Sequence, residues 1–138
     1  MAGRIHFRRS LSLSLALLAA LTVSTLAFAA HAEAFVYWTE TSSIGRADSD
    51  GSNVDHEFIP LTETPPSLAV DAGHIYWTYF RDGVGRAELD GSDPQLLFPS
   101  TGSGGMSGIA VDAEHVYWAE FYLFGGSIGR ADLNGENV

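Results

Sequence analysis

The sequence predicts an all-β chain made of β-propeller blades, each of four antiparallel strands. Three observations predict it. A Tyr-Trp pair occurs three times, at Tyr37-Trp38, Tyr76-Trp77 and Tyr117-Trp118. A Gly-Arg-Ala triplet follows each pair, with its arginine at Arg46, Arg86 and Arg130. An Asp-Gly or Asn-Gly dipeptide comes next, at Asp50-Gly51, Asp90-Gly91 and Asn134-Gly135. Three anchors in fixed order, at a period of about 40 residues, mark a repeat architecture.

The N-terminal stretch stands apart from the repeats. Arg4, Arg8 and Arg9 precede an apolar, uncharged run from Leu11 to Ala30, and Ala30-His31-Ala32 sets small residues around one larger one. This is the pattern of a secretory signal helix, with cleavage after Ala32 or, as a second site, at Ala27-Phe28-Ala29. Residues 1–32 are therefore read as a signal peptide; the competing reading is a retained membrane anchor. Arg8-Arg9-Ser10-Leu11 also resembles a twin-arginine export signal. Cysteine is absent, which excludes disulfides, thiolate metal sites and a lipoprotein anchor.

Within the second repeat each element has a local cause. Ser67 to Asp71 is a short apolar run between Pro65-Pro66 and Ala72-Gly73, the pattern of a buried strand. From His74 to Phe80, Ile75, Trp77 and Tyr79 alternate with Tyr76, Thr78 and Phe80, so both faces of this strand are expected to be covered. Arg81-Asp82-Gly83 is a turn, Val84 to Leu89 a third strand and Asp90-Gly91 a hairpin turn. Gln95 to Phe98 is a fourth strand, stopped by Pro99. Four short strands in about 40 residues describe one propeller blade. The repeats fall near 35–59, 67–98 and 108–138, about two and a half blades. No helical period appears after residue 32, which excludes a helix bundle or βαβ fold.

Tyr-Trp-Thr, then Ile/Val-Gly-Arg-Ala with Asp/Asn-Gly, preceded by Leu68-Ala69-Val70-Asp71 or Ile109-Ala110-Val111-Asp112, resembles the YWTD repeat. This is the class B repeat of low-density-lipoprotein-receptor-like proteins, and the resemblance covers residues 35–138. It implies a six-bladed propeller, here similar to the stand-alone exported versions of bacteria. The fourth motif position departs from the family's Asp, being Glu40, Tyr79 and Glu120, and Ala119 replaces Thr in the third copy.

The repeated residues are read as structural: Tyr37, Trp38, Arg46, Tyr76, Trp77, Arg86, Tyr117, Trp118 and Arg130. The tryptophans are expected between blades. The arginines are expected to pair with nearby carboxylates and tie strands or blades together. Asp71 and Asp112 are expected to hydrogen-bond the turns that follow them. Asp48, Asp50 and Asn53 read as a hairpin, because Gly51 stands in the wrong place for a calcium loop. No catalytic, cofactor or metal-binding residue is expected: His74 and His115 share one repeat position and read as structural, and no nucleophile or acid is tied by spacing to His56, which stands outside the pattern.

The third copy carries extra residues within Phe121-Tyr122-Leu123-Phe124-Gly125-Gly126. Insertions in repeats map to loops, often on a binding face, so Phe121, Tyr122 and Phe124 are the candidate partner-binding residues. The competing reading is a longer hairpin packed on its own blade. The net charge of −10 disfavours nucleic acid and anionic lipid. The expected function is an exported, non-enzymatic binding or scaffold module for a protein or carbohydrate ligand, not inserted in a membrane once the signal is cleaved. The competing class is a fragment of an extracytoplasmic propeller lyase or hydrolase whose site lies in other blades. Too few blades are present to close a ring, so either a truncated reading frame or closure by self-association is expected.

Overall fold

Three antiparallel sheets follow one another along the chain. The computed structural model describes residues 34–100 and 104–138, so the expected signal peptide lies outside the described residues. The first sheet contains β1 (Phe35–Thr39), β2 (Ser43–Asp48) and β3 (Asp55–Pro60), in that order. The second contains β4 (Leu68–Val70), β5 (His74–Thr78), β6 (Gly83–Glu88) and β7 (Gln95–Pro99). The third contains β8 (Gly105–Val111), β9 (His115–Tyr122) and β10 (Gly125–Asp132). Each sheet is one propeller blade, with sequential strands as neighbours. The middle blade has four strands and the outer two have three each. β6 takes Gly83 from the expected turn, and β8 starts at Gly105, ahead of the repeat boundary near residue 108.

The core lies between blades. One cluster joins Ile44 and Ile59 of blade 1 to Ile75, Trp77 and Ala87 of blade 2. The other joins Tyr76, Val84 and Phe98 of blade 2 to Met106, Val116, Trp118 and Ala131 of blade 3. The period of two along a strand explains the sharing. Odd and even residues of β5 point to opposite faces, so Ile75 and Trp77 meet blade 1 while Tyr76 meets blade 3. Ile75, Tyr76, Trp77 and Thr78 are all fully buried, as the two-sided apolar pattern of this strand requires.

The tryptophan has a fixed seat. Trp38, Trp77 and Trp118 lie opposite Gly45, Gly85 and Gly129 on the adjacent strand. The indole lies across the glycine: a Cβ built at any of the three glycines would overlap the six-membered ring of the paired Trp. The Gly of Gly-Arg-Ala is thus set by the Trp of Tyr-Trp. Trp77 and Trp118 are buried between blades as expected, whereas Trp38, on the outer side of blade 1, is only half-buried.

The fourth motif position governs the indole N–H. Trp38 Nε1 donates to Glu40 at 2.6 Å, and Trp118 Nε1 donates to Glu120 at 3.0 Å. In blade 2 this position is Tyr79, which meets Trp77 edge-on at 6.1 Å, and the buried Trp77 Nε1 has no hydrogen-bond partner. Burying one Trp removes roughly 150–250 Å² from water, worth about 4–6 kcal/mol gross. An orphaned donor costs only about 1–3 kcal/mol. Burial wins, and the ring stays in place.

Neighbouring blades are also joined through the Asp/Asn-Gly turn. Gly91 and Gly135 take φ of 82° and 85°, and each turn packs on the outer strand of the preceding blade, Gly91 on Phe58 and Gly135 on Leu97. The carbonyl before the Asp/Asn accepts a bond from that preceding blade. The Tyr37 hydroxyl donates to Leu89 O at 2.9 Å, and the Arg86 guanidinium donates to Leu133 O at 2.9 Å. The expected arginine–carboxylate pairs give way to these arrangements. Arg86 is used by a main-chain carbonyl, and Arg46 sits 4.0 Å over the Phe58 ring and 4.6 Å from the Phe35 ring. The carboxylates of this region stand on solvated turns, whereas the carbonyl and the rings lie within arginine's reach at the blade interface.

Asp71 and Asp112 organise their turns as expected. Asp71 accepts from the Gly73 and His74 amides, both at 2.7 Å, and Asp112 from the Glu114 and His115 amides, both at 2.8 Å. Each also accepts from the following tyrosine, Tyr76 at 3.1 Å and Tyr117 at 2.9 Å. Burial, reinforced by the Asp71 carboxylate, pushes the Tyr76 hydroxyl up to about 12.

Three outcomes follow from this packing. Trp77→Ala is expected to cost about 3–5 kcal/mol, and Gly85→Ala about 1–3 kcal/mol by overpacking. Gly108→Ala, where a Cβ meets nothing within 4 Å, serves as the neutral control. Urea unfolding of the three variants checks the order. Tyr79→Glu places in blade 2 the acceptor that blades 1 and 3 already have, and is expected to raise the unfolding free energy by about 1 kcal/mol; a lower urea midpoint would contradict it. Because the Tyr76 value is raised on folding, its contribution is present below pH 10 and lost as pH rises toward about 12. Tyr76→Phe should therefore show a smaller alkaline loss of stability in melts across that range.

Candidate functional site

The third blade ends in a long hairpin. β9 and β10 each have eight residues, against five and six in their counterparts β5 and β6. The extra residues extend the ladder, with Tyr122 opposite Gly125, Phe121 opposite Gly126 and Glu120 opposite Ser127. The insertion thus forms the longer hairpin of the competing reading rather than a loop, with Leu123-Phe124 as its two-residue turn. Such turns usually take Asn, Asp or Gly. Here two large apolar residues hold the position, and they are 88% and 96% exposed.

The hairpin base is fixed by polar contacts. Glu120 is buried; besides Trp118 Nε1, it accepts a hydrogen bond from the Tyr122 hydroxyl, which also lies 3.2 Å from Ser127 Oγ. Tyr122 is therefore oriented from within its own blade. Phe121 meets Phe80 of blade 2 in a T-shaped contact at 5.6 Å. A Cβ at Gly105 would strike both rings, and one at Gly104 would strike Tyr122 and the Phe121 carbonyl. Glycine at these positions lets β8 pass close beneath the aromatics.

An open cleft of about 500 Å³ results, lined by Phe80, Arg81, Gly104, Gly105, Phe121, Tyr122 and Leu123. Arg81 is exposed, with its guanidinium 5.8 Å from the Phe80 ring centre. Phe80 is held in turn by its amide, which donates to Glu63 at 3.0 Å. The cleft can take an apolar side chain against the rings and an acceptor group at Arg81. Of the residues singled out in the sequence, Phe121 and Tyr122 line the cleft, and Phe124 stands beyond it at the tip. Phe80 and Arg81 were not singled out, because they belong to the preceding blade and only the stacking of blades brings them here. Leu123 lay inside the insertion, where its exposure was the missing signal.

Two of the histidines are held in equivalent repeat positions. His74 lies between Asp71 at 3.7 Å and Glu88 at 3.4 Å, and His115 between Asp112 at 3.8 Å and Asp132 at 3.6 Å. His56, which the repeat pattern left unassigned, contacts Glu40 at 2.8 Å and stands edge-on to Trp38 at 5.7 Å. The Asp48–Asn53 hairpin closes on itself: Ser52 donates to Asp50, and Asn53 Nδ2 donates to Asp48 at 2.7 Å. Hydrogen bonds from the Ser52 side chain and amide hold the Asp50 carboxyl below its ordinary range, and Ser92 does the same for Asp90.

Comparison with known proteins agrees with the propeller architecture. No family model matches the sequence. No curated protein matches it either. Among solved structures the chain is similar to one described as "Crystal structure of Nidogen/Laminin Complex", with 28% sequence identity and a TM-score of 0.68. The match covers 77% of this chain and 43% of that one, so this chain spans less than half the length of its structural neighbour.

Proposed function

We propose that the protein is an exported, non-enzymatic YWTD-type β-propeller module that binds a protein partner at the β9–β10 hairpin end. The observation that carries this reading is the Leu123-Phe124 turn, 88% and 96% exposed, set beside the cleft of Phe80, Arg81, Phe121 and Tyr122. Contiguous exposed apolar residues at the end of a paired hairpin are a liability unless something covers them. Aromatic and arginine side chains around a pocket are the composition of an interface centre. The structural neighbour is described as a complex of two proteins, which supports a protein over a carbohydrate partner. Export is supported by the basic and apolar N-terminal pattern ending at Ala30-His31-Ala32. The YWTD assignment is supported by the repeated motif and by the propeller blades that carry it. A non-enzymatic role is supported by the histidines, since His74 and His115 occupy equivalent places in successive blades and are held by equivalent carboxylates.

The test uses peptides selected from a displayed library on the immobilised protein. Leu123→Ser with Phe124→Ser is expected to weaken the selected peptides by at least about 2 kcal/mol, while far-UV circular dichroism and the melting midpoint stay unchanged. Arg81→Ala should weaken those peptides that carry a carboxylate. Equal binding by the wild-type and double-serine proteins would move the site elsewhere.

A further inference from the structure

The β5–β6 turn of blade 2 carries side chains that the fold leaves unused. Its main chain is fixed: the Tyr79 amide donates to Gly83 O at 2.8 Å, and the Ser100 amide donates to Asp82 O at 3.0 Å. Arg81 and Asp82 are both exposed, and among the described residues neither side chain forms an ion pair or a hydrogen bond. The Arg81 guanidinium lies only near the Phe80 ring, at 5.8 Å. By contrast, Arg46 stacks on two rings and Arg86 serves a main-chain carbonyl. Tyr79 is the second departure. It holds the position from which Glu40 and Glu120 accept the indole N–H in the other blades, and it leaves the Trp77 N–H without a partner. Natural sequences break a local rule of this kind where the residue serves function.

Tyr79 lines a second open cleft, of about 430 Å³, together with Thr62, Arg81, Asp82 and Leu96. Tyr79 packs on the core shared by blades 1 and 2, while Phe80 meets Phe121 of blade 3. The turn therefore stands as a ridge between two clefts, and Arg81 lines both. The clefts differ in chemistry. The first is aromatic and takes an apolar side chain. Arg81 between them pairs with a carboxylate. The second offers the Asp82 carboxylate, the Thr62 and Tyr79 hydroxyls, and Leu96, which is 49% exposed. That set fits a long cationic side chain, its head at Asp82 and its stem along Leu96 and the Tyr79 ring. We infer that the partner bound at the hairpin end presents an extended peptide segment that crosses this ridge. The segment carries an apolar residue for the first cleft, an acidic residue for Arg81, and a lysine or arginine for the second cleft. Complementary charges of opposite sign at Arg81 and Asp82 fix its direction. This rests on the hairpin-end reading and adds to it a second subsite and an order of side chains. Tyr79 is then a binding residue, kept where the other blades keep an indole acceptor.

Peptides selected from a displayed library on the immobilised wild-type protein are the probes. The enriched sequences should carry an apolar, an acidic and a basic residue in a fixed order. Asp82→Asn and Leu96→Ser change exposed positions and should each weaken these peptides by at least about tenfold, with an unchanged circular dichroism spectrum. Replacing the basic residue of the peptide with alanine should erase the difference between Asp82→Asn and wild type. Tyr79→Gln gives the Trp77 indole an uncharged acceptor, so the melting midpoint should hold or rise while peptide affinity falls. A purely structural Tyr79 would leave that affinity unchanged. The outcomes separate the two readings. If Leu123→Ser with Phe124→Ser weakens binding but Asp82→Asn, Leu96→Ser and Tyr79→Gln do not, the second subsite is overturned and the hairpin-end site stands. Enriched peptides without a basic residue overturn the second subsite as well. Binding indifferent to both sets of variants, or a library that yields no binder, overturns both.

Discussion

The indole of each Tyr-Trp pair lies flat over a glycine on the adjacent strand, and the rest of the blade depends on that seat. Only a residue without a Cβ permits it, which is why Gly45, Gly85 and Gly129 stand opposite the three tryptophans. With the ring fixed, the neighbouring odd and even positions of the strand are assigned to opposite junctions. The tyrosine before it then faces the following blade. The arginine after the glycine falls where it can reach that blade's turn. One cross-strand contact therefore sets the direction in which every blade presents its two faces.

Charge has a secondary part in this stack. The protein is strongly acidic, yet the arginines at the junctions are used as hydrogen-bond donors and aromatic partners. A main-chain carbonyl buried between blades must find a donor, and Tyr37 or Arg86 provides one. Asp71 and Asp112 are better placed on their turns, where amides converge on a single carboxylate oxygen. Burial opposes ionisation of Asp71, but the amide and tyrosine hydrogen bonds outweigh it and hold its carboxyl below the usual range. The acidic groups thus shape turns and solubility, while apolar burial holds the blades together.

Much of the fold was legible in the sequence because its signals are local and repeated. The alternation from His74 announced a strand covered on both faces, although the strand stops at Thr78 and leaves Phe80, expected within it, exposed; Asp90-Gly91 announced the hairpin. What the arginines bond to was not legible, since Leu133 O lies one blade away from Arg86 and a carbonyl leaves no mark in the residue code. The site was half legible. The insertion in the third repeat pointed to Phe121, Tyr122 and Phe124 and left a loop and a longer hairpin both open; the ladder through Gly125 and Gly126 makes it the hairpin, with its tip exposed. Phe80 and Arg81 reach the same cleft through tertiary stacking, which no spacing within one repeat reveals. The departure at Tyr79 was visible as a letter, but its effect, an indole N–H without an acceptor, required the packed structure.

The hairpin of blade 3 shows where such a chain tolerates changes in length. Residues added at the tip extend β9 and β10 outward without shifting the Trp118–Gly129 pair, so the junctions are untouched. A single residue added within a strand, between that tryptophan and a junction, would reverse the faces of every position beyond it in that strand. Growth elsewhere must come in complete repeats, because a duplicated blade brings one of each face and leaves both neighbours matched. Gene duplication in units of one repeat, with free variation at hairpin ends, is the route of divergence that this geometry leaves open.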